Sequence, residues 1–265
     1  YTLTEVLRDR WHFRGFVVSD WDGVVQLAHQ GYTTNPAEMC RAALSAGNDM
    51  EMNSSAYRNI PALIESGRLK IEVVDEAVRR VLRIKFAKGL FEHPYHEEVD
   101  PGTVSLQPEA LELSRAAARA SMVLLKNEKN TLPLNPDTLR SIALIGPVAT
   151  DREASAGAWP AIIDPKTIPT LQEVLPSFFP KSEIHYAPGC DYTSDSTEHF
   201  AEAIAAAEKS DLVILALGEG AGRTGENRSY TNIALPGKQL ELLRKIAAVG
   251  RPVVLLVSSG RPILY

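Results

Sequence analysis

The residues best placed by type and spacing to do chemistry lie in Gly15-Phe16-Val17-Val18-Ser19-Asp20-Trp21-Asp22-Gly23. Phe16 to Val18 is a short apolar run of the kind that forms a fully buried strand. It gives way to Ser-Asp-Trp-Asp-Gly, which is polar, aromatic and turn-prone. In a parallel α/β barrel the carboxyl end of each strand opens onto the active site. A carboxylate there can attack an anomeric carbon, and an indole beside it can cover the face of a sugar ring. Asp20 and Trp21 are therefore the first candidates. The competing readings are a helix cap for Asp20 and plain packing for Trp21.

The elements around this motif read as alternating helix and strand. Thr4 can cap a first helix whose apolar face holds Val6, Leu7 and Trp11. A polar loop to about Pro36 precedes a helix over 37–46, with Met39, Ala42, Ala43 and Ala46 inward and Gly47 at its end. Residues 48–52 read as a second short strand, whose Asp49 and Met52 could border the pocket but read first as structural support. Ser54 or Ser55 can cap the next helix, and a further helix over 71–86 carries Val74, Val78, Val81 and Leu82 in register. This order makes two β/α units of a barrel, whereas a closed barrel takes eight strands and about 250 residues. The expectation is the C-terminal part of a (β/α)8 barrel over residues 1–92.

Residues 93–108 read as a linker, rich in Pro and Gly and without periodicity, in which His93 and His96 are solvated side chains. Residues 109–265 then predict an α/β sandwich domain with a mostly parallel sheet and helices on both faces. Its expected strands are 122–125, 141–145, 184–186, 211–218 and 253–257, with helices over 109–120, 170–175, 198–209 and 237–249 and an irregular stretch at 149–166.

Composition narrows the class of function. The chain has 265 residues and a formal net charge of −5. It lacks the basic stripe of a nucleic-acid binder, and no apolar run reaches the ~20 residues of a membrane span. Cys40 and Cys190 are far apart and read as two buried thiols, so they do not reveal a compartment. Gly220-x-Gly222-x-x-Gly225 matches a dinucleotide fingerprint on paper, but helix signals begin only near Gly237, too late for a pyrophosphate site. Asn53-Ser54-Ser55 and Asn227-Arg228-Ser229 match the glycosylation pattern, which arises readily by chance.

Leu7-Arg8-Asp9-Arg10-Trp11-His12-Phe13-Arg14-Gly15-Phe16-Val17-Val18-Ser19-Asp20-Trp21 resembles the nucleophile segment of glycoside hydrolase family 3. Lys126-Asn127-Glu128 with Leu132-Pro133-Leu134, and Val254 to Pro262, resemble that family's second domain. The resemblance implies that Asp20 is the catalytic nucleophile and that the chain is a fragment starting after the sixth barrel strand. Trp21 would line the leaving-sugar subsite. The implied partner is an oligosaccharide or β-glucoside, without nucleic acid, membrane, metal or organic cofactor. The resemblance also points to a periplasmic or secreted protein.

Retaining glycoside hydrolysis needs a second carboxyl group that protonates the leaving oxygen and later activates water. The loop 218–230 offers two, Glu219 at the strand end and Glu226 further along. The resemblance favours Glu226, because Leu235-Pro236-Gly237-Lys238-Gln239 repeats the family's pattern downstream of the acid/base residue. Arg228 could orient Glu226, and Trp159 could approach the sugar. The expected activity is removal of terminal β-linked glucose by double displacement, with the isolated chain inactive. The alternatives are a β-xylosidase or other exo-glycosidase, and a non-catalytic carbohydrate-binding pseudo-enzyme.

Overall fold

The computed structural model describes every residue except 105, 161 and 162. The expected linker and the irregular 149–166 stretch thus each contain positions outside the described residues. Packing separates two compact units, Tyr1–Ala120 and Ser121–Tyr265.

The first unit opens with a π-helical segment, Thr2–Arg10, where an ordinary helix was expected. Strand β1 (Val18–Trp21) pairs in parallel with β2 (Met50–Met52). Val18 stands opposite Met50 and Trp21 opposite Met52, so β1 carries one extra residue between them. The expected strand ended at Val18; instead the ladder runs on through Ser19-Asp20-Trp21, and the Asp22 amide still donates to the Met52 carbonyl at 2.9 Å. Pairing with β2 outweighs the turn tendency of these polar residues. Helix α1 (Pro36–Ala46) is set by its ends. The Asn35 side chain accepts from the amides of Ala37 and Glu38, Pro36 opens the first turn, and Gly47 closes it at φ +103°. The next helix divides into a 3-10 turn, Ala56–Asn59, and α2 (Ile60–Glu65). Helix α3 (Ile71–Ala87) follows. Val24, Met39, Cys40, Leu44, Leu63 and Ala77 are among the residues that form the unit's core. Val78, Leu82 and Phe86, a stripe along α3, are exposed. A single turn, α4 (Pro101–Val104), interrupts the expected linker, and α5 (Pro108–Ser121) is exposed along its length.

The second unit is built on a four-stranded parallel sheet of order β4-β3-β5-β6, with β3 (Ser141–Ile145), β4 (Glu183–Ala187), β5 (Leu212–Gly218) and β6 (Val253–Ser258). Alternation along the strands divides their side chains between two cores. Ile142, Leu144, Leu212, Ile214 and Ala216 pack with Leu175 and Phe179, at α7 (Leu171–Phe178). Ala143, Ile145, Val213, Leu215 and Leu217 pack against α8 (Phe200–Glu208) and α9 (Gln239–Ala248). Helices therefore cover both faces, as expected for an α/β sheet of this kind. Every residue of β5 is buried, which explains its unbroken apolar run. Each of its large side chains contributes roughly 1.5–3 kcal/mol by burial.

Residues 122–125 depart from expectation. They form no strand, and Met122, Val123, Leu124 and Leu125 are all more than half exposed. An apolar run records a need for cover but does not say what supplies it. No helix among the described residues is long and apolar enough to cross a membrane.

Candidate active site

In the first unit, Asp20 is exposed near the carboxyl end of β1, with its Oδ1 accepting from the Trp21 amide at 2.7 Å. Trp21 is 60% exposed. The backbone around them is fixed from both sides. The Asp20 carbonyl accepts from the Gly23 amide at 2.9 Å, and the Ser19 hydroxyl accepts from the Met52 amide at 2.9 Å.

Beneath this motif lies Asp49, with a side chain only 1% exposed. Its Oδ2 takes Arg8 at 2.6 Å and the Val17 amide at 2.8 Å, and its Oδ1 takes Arg80 at 2.7 Å. One carboxylate thereby ties the first helical segment, the approach to β1 and α3 to the start of β2. Asp49 is the structural support expected of it. Arg8 also donates to the carbonyls of Gly15 and Gly47, at 3.0 and 3.1 Å.

In the second unit the loops leaving β3, β5 and β6 border a cleft of about 350 Å³. Its lining includes Ala158, Glu219, Thr224, Gly225 and Ser259. The sheet order reverses direction between β3 and β5, and ligand clefts in parallel sheets lie outside the strand ends at such a point. The β5 exit is tightly built. Gly218 has φ +152°, and a Cβ there would stand 1.9 Å from the Ser258 carbonyl oxygen. The Gln239 side chain, wholly buried, accepts from the Gly218 amide at 2.8 Å. Its amide nitrogen lies 2.9 Å from the carbonyls of both Gly218 and Tyr192. The Tyr192 hydroxyl donates to Asp151 at 2.7 Å, and Asp151 Oδ1 accepts from the amides of Glu153 and Ala154 at the start of α6 (Glu153–Ala156), on the cleft's other rim.

The two glutamates of the β5 loop stand in opposite surroundings. The Glu219 side chain is 2% exposed. Its Oε1 takes Arg223 at 3.0 Å; its Oε2 takes Ser259 at 2.9 Å and Arg261 at 3.0 Å. Burial pushes its carboxyl up, but the Ser259 hydroxyl and the two guanidiniums outweigh this and hold it below the usual glutamate range. Glu226 is exposed and forms no salt bridge among the described residues. It lies between two left-handed residues, Gly225 at φ +102° and Asn227 at φ +59°. A Cβ on Gly225 would come within 2.4 Å of the Ala158 methyl, so loop and rim are in contact at this point.

Arg228 makes no ion pair with Glu226; it is exposed, and its carbonyl accepts from Arg261. Trp159 follows the cleft residue Ala158 and is 78% exposed. The Gly220–Gly225 stretch starts no α-helix, only a 3-10 turn at Ala221–Arg223. Among the described residues no three His, Cys, Asp or Glu side chains gather to hold a metal ion. Sequence reasoning missed Arg223, Arg261, Tyr230 and the Tyr192–Asp151 pair. The one local signal was Arg223, four residues after Glu219.

Parallel strands that deliver carboxylates and glycine-rich loops at their carboxyl ends define an α/β protein built like an enzyme. Residues 1–84 match the glycosyl hydrolase family 3 N-terminal domain and residues 122–265 its C-terminal domain, and the chain belongs to that family. A protein named periplasmic β-glucosidase, from Salmonella typhimurium, is 33% identical over 99% of this chain and 38% of its own length. A probable β-D-xylosidase from Arabidopsis thaliana is 32% identical over 98% of this chain and 33% of its own. The crystal structure of a β-glucosidase from Listeria innocua superimposes with a TM-score of 0.89 at 35% identity, over 98% of this chain and 36% of that one. The chain thus spans little more than a third of the length of these relatives.

Proposed function

We propose that this chain carries both reactive carboxyl groups of a retaining exo-glycosidase acting on terminal β-linked glucose. Asp20 attacks the anomeric carbon and forms a glycosyl-enzyme. Glu226 protonates the departing oxygen and then deprotonates the water that releases the sugar. Trp21, Trp159 and Arg228 contact the substrate. The observation that carries this reading is Asp20 standing exposed at the end of a parallel strand, in a chain about a third identical to β-glucosidases along nearly its whole length. The state of Glu219 supports the choice of Glu226: a general acid needs a carboxyl raised toward neutrality, and Glu219 is pulled the other way. The Listeria innocua enzyme has been solved in complex with glucose, which favours a hexose in the pocket. The Salmonella relative's name suggests a site of action outside the cytoplasm.

A second reading, β-xylosidase, is favoured by the Arabidopsis relative. Comparing kcat/KM of the full-length protein on aryl β-glucosides and β-xylosides separates the two. The central test is a 2-fluoro-glucosyl fluoride, which traps the covalent intermediate. A stable adduct is expected on the peptide holding Asp20; an adduct on any other carboxylate overturns the assignment. The 265-residue chain alone is expected to turn over negligibly, and activity within about tenfold of the full-length protein contradicts that expectation.

A further inference from the structure

We infer that Arg261 is a positioning residue that sets the placement of Glu226, an inference that rests on Glu226 being the acid/base group. Arg261 leaves the β6 exit and reaches back to the β5 loop. Its Nε donates to Glu219 at 3.0 Å. Its Nη2 donates to the Arg223 carbonyl and lies 3.3 Å from the Arg228 carbonyl. Those two carbonyls stand on either side of Glu226 in the chain, so one guanidinium grips both flanks of the segment that presents it.

The grip is braced. Glu219 holds Arg261 from beneath and is itself held by Arg223 and Ser259. Tyr230, at the far end of the loop, lies 3.8 Å from the Arg223 guanidinium and 5.0 Å from that of Arg261, measured to the ring centre. Both contacts suit a planar cation over a π face. A carboxylate and two carbonyls taken by one side chain require the forked, planar donor set of arginine. Lysine supplies charge without that geometry. The arrangement bears on chemistry because acid catalysis depends on reach: a misplacement of about 1 Å can cost about a hundredfold in rate.

The test compares R261K and E226Q in the full-length protein on phenyl and 2,4-dinitrophenyl β-glucosides. Dinitrophenolate departs without a proton, whereas the phenyl glucoside gains from one. R261K is expected to lower kcat/KM on the phenyl substrate at least about tenfold more than on the dinitrophenyl substrate, following E226Q in direction. Equal losses for R261K, with E226Q still discriminating, overturn the positioning role and leave the acid/base reading intact. Equal losses for E226Q overturn the acid/base reading itself. Hydrogen exchange of the present chain adds a readout that needs no turnover. R261K is expected to speed exchange across residues 220–231 about tenfold while β5 and β6 keep their protection. Unchanged exchange in the loop overturns the inference.

Discussion

Glu219 and Arg261 meet across the carboxyl ends of two neighbouring strands, Nε to Oε2 at 3.0 Å, with the carboxylate 2% and the guanidinium 20% exposed. The pair is separated by 42 positions in sequence and exists because β5 and β6 lie side by side. It divides the loop's two glutamates between separate tasks. One is consumed in holding the backbone, and the other is left open at the surface.

Replacing Glu219 by Gln leaves two guanidiniums without a counter-charge. The second unit should lose about 3 kcal/mol. Because the folded-state carboxyl titrates below its usual value of 4.5, the native ion pairs contribute fully above that pH and fade as acid protonates the folded form. The gap in Tm between wild type and E219Q should be wide near neutrality and narrow as the pH falls below 4.5. A constant gap would show that the pair contributes nothing through charge.

Asp49→Ala removes the shared partner of Arg8 and Arg80 and orphans the Val17 amide. The first unit should be destabilised by about 3–5 kcal/mol. Cys40 lies in the core of that unit and Cys190 in the core of the other, so thiol labelling in urea reads each unit separately. The labelling midpoint of Cys40 should fall by more than about 1 M, with that of Cys190 unmoved.

Both thiols should resist alkylation in the native state. Burial, reinforced by the negative charge of Glu51 near Cys40 and of Asp191 near Cys190, pushes each up to about 11. The reactive thiolate is therefore scarce below about pH 9. Iodoacetamide followed by mass spectrometry should find both unmodified until denaturant is added.

Gln239→Leu preserves volume but strips the Gly218 amide and carbonyl and the Tyr192 carbonyl of their partner. Urea unfolding of the second unit should show a loss of about 2–4 kcal/mol. A loss below about 1 kcal/mol would mean that water replaces the amide.

Much of the second unit was legible in the sequence. The runs at Ser141–Ile145, Leu212–Gly218 and Val253–Ser258 are strands, because a parallel strand covered on both faces reads as continuous apolar sequence. The same signal at Met122–Leu125 marks exposed, irregular chain. The strand expected over residues 16–18, ending before Asp20, instead runs Val18–Trp21 and takes Asp20 in, since its polar residues are held by pairing with β2 and not by local preference. Asp20 and Glu226 could be singled out because their motifs are local. The network around Glu219 could not, because Ser259 and Arg261 join it only after the sheet has assembled.

The contact between Gly225 and Ala158 gives position 158 a disproportionate influence. Its methyl acts as a shim beneath the Glu226 loop. A larger side chain there would prop the loop away from the rim, while glycine would let it settle closer. Under the proposed function, the placement of Glu226 could thus drift through a change at a neighbouring residue that carries no reactive group.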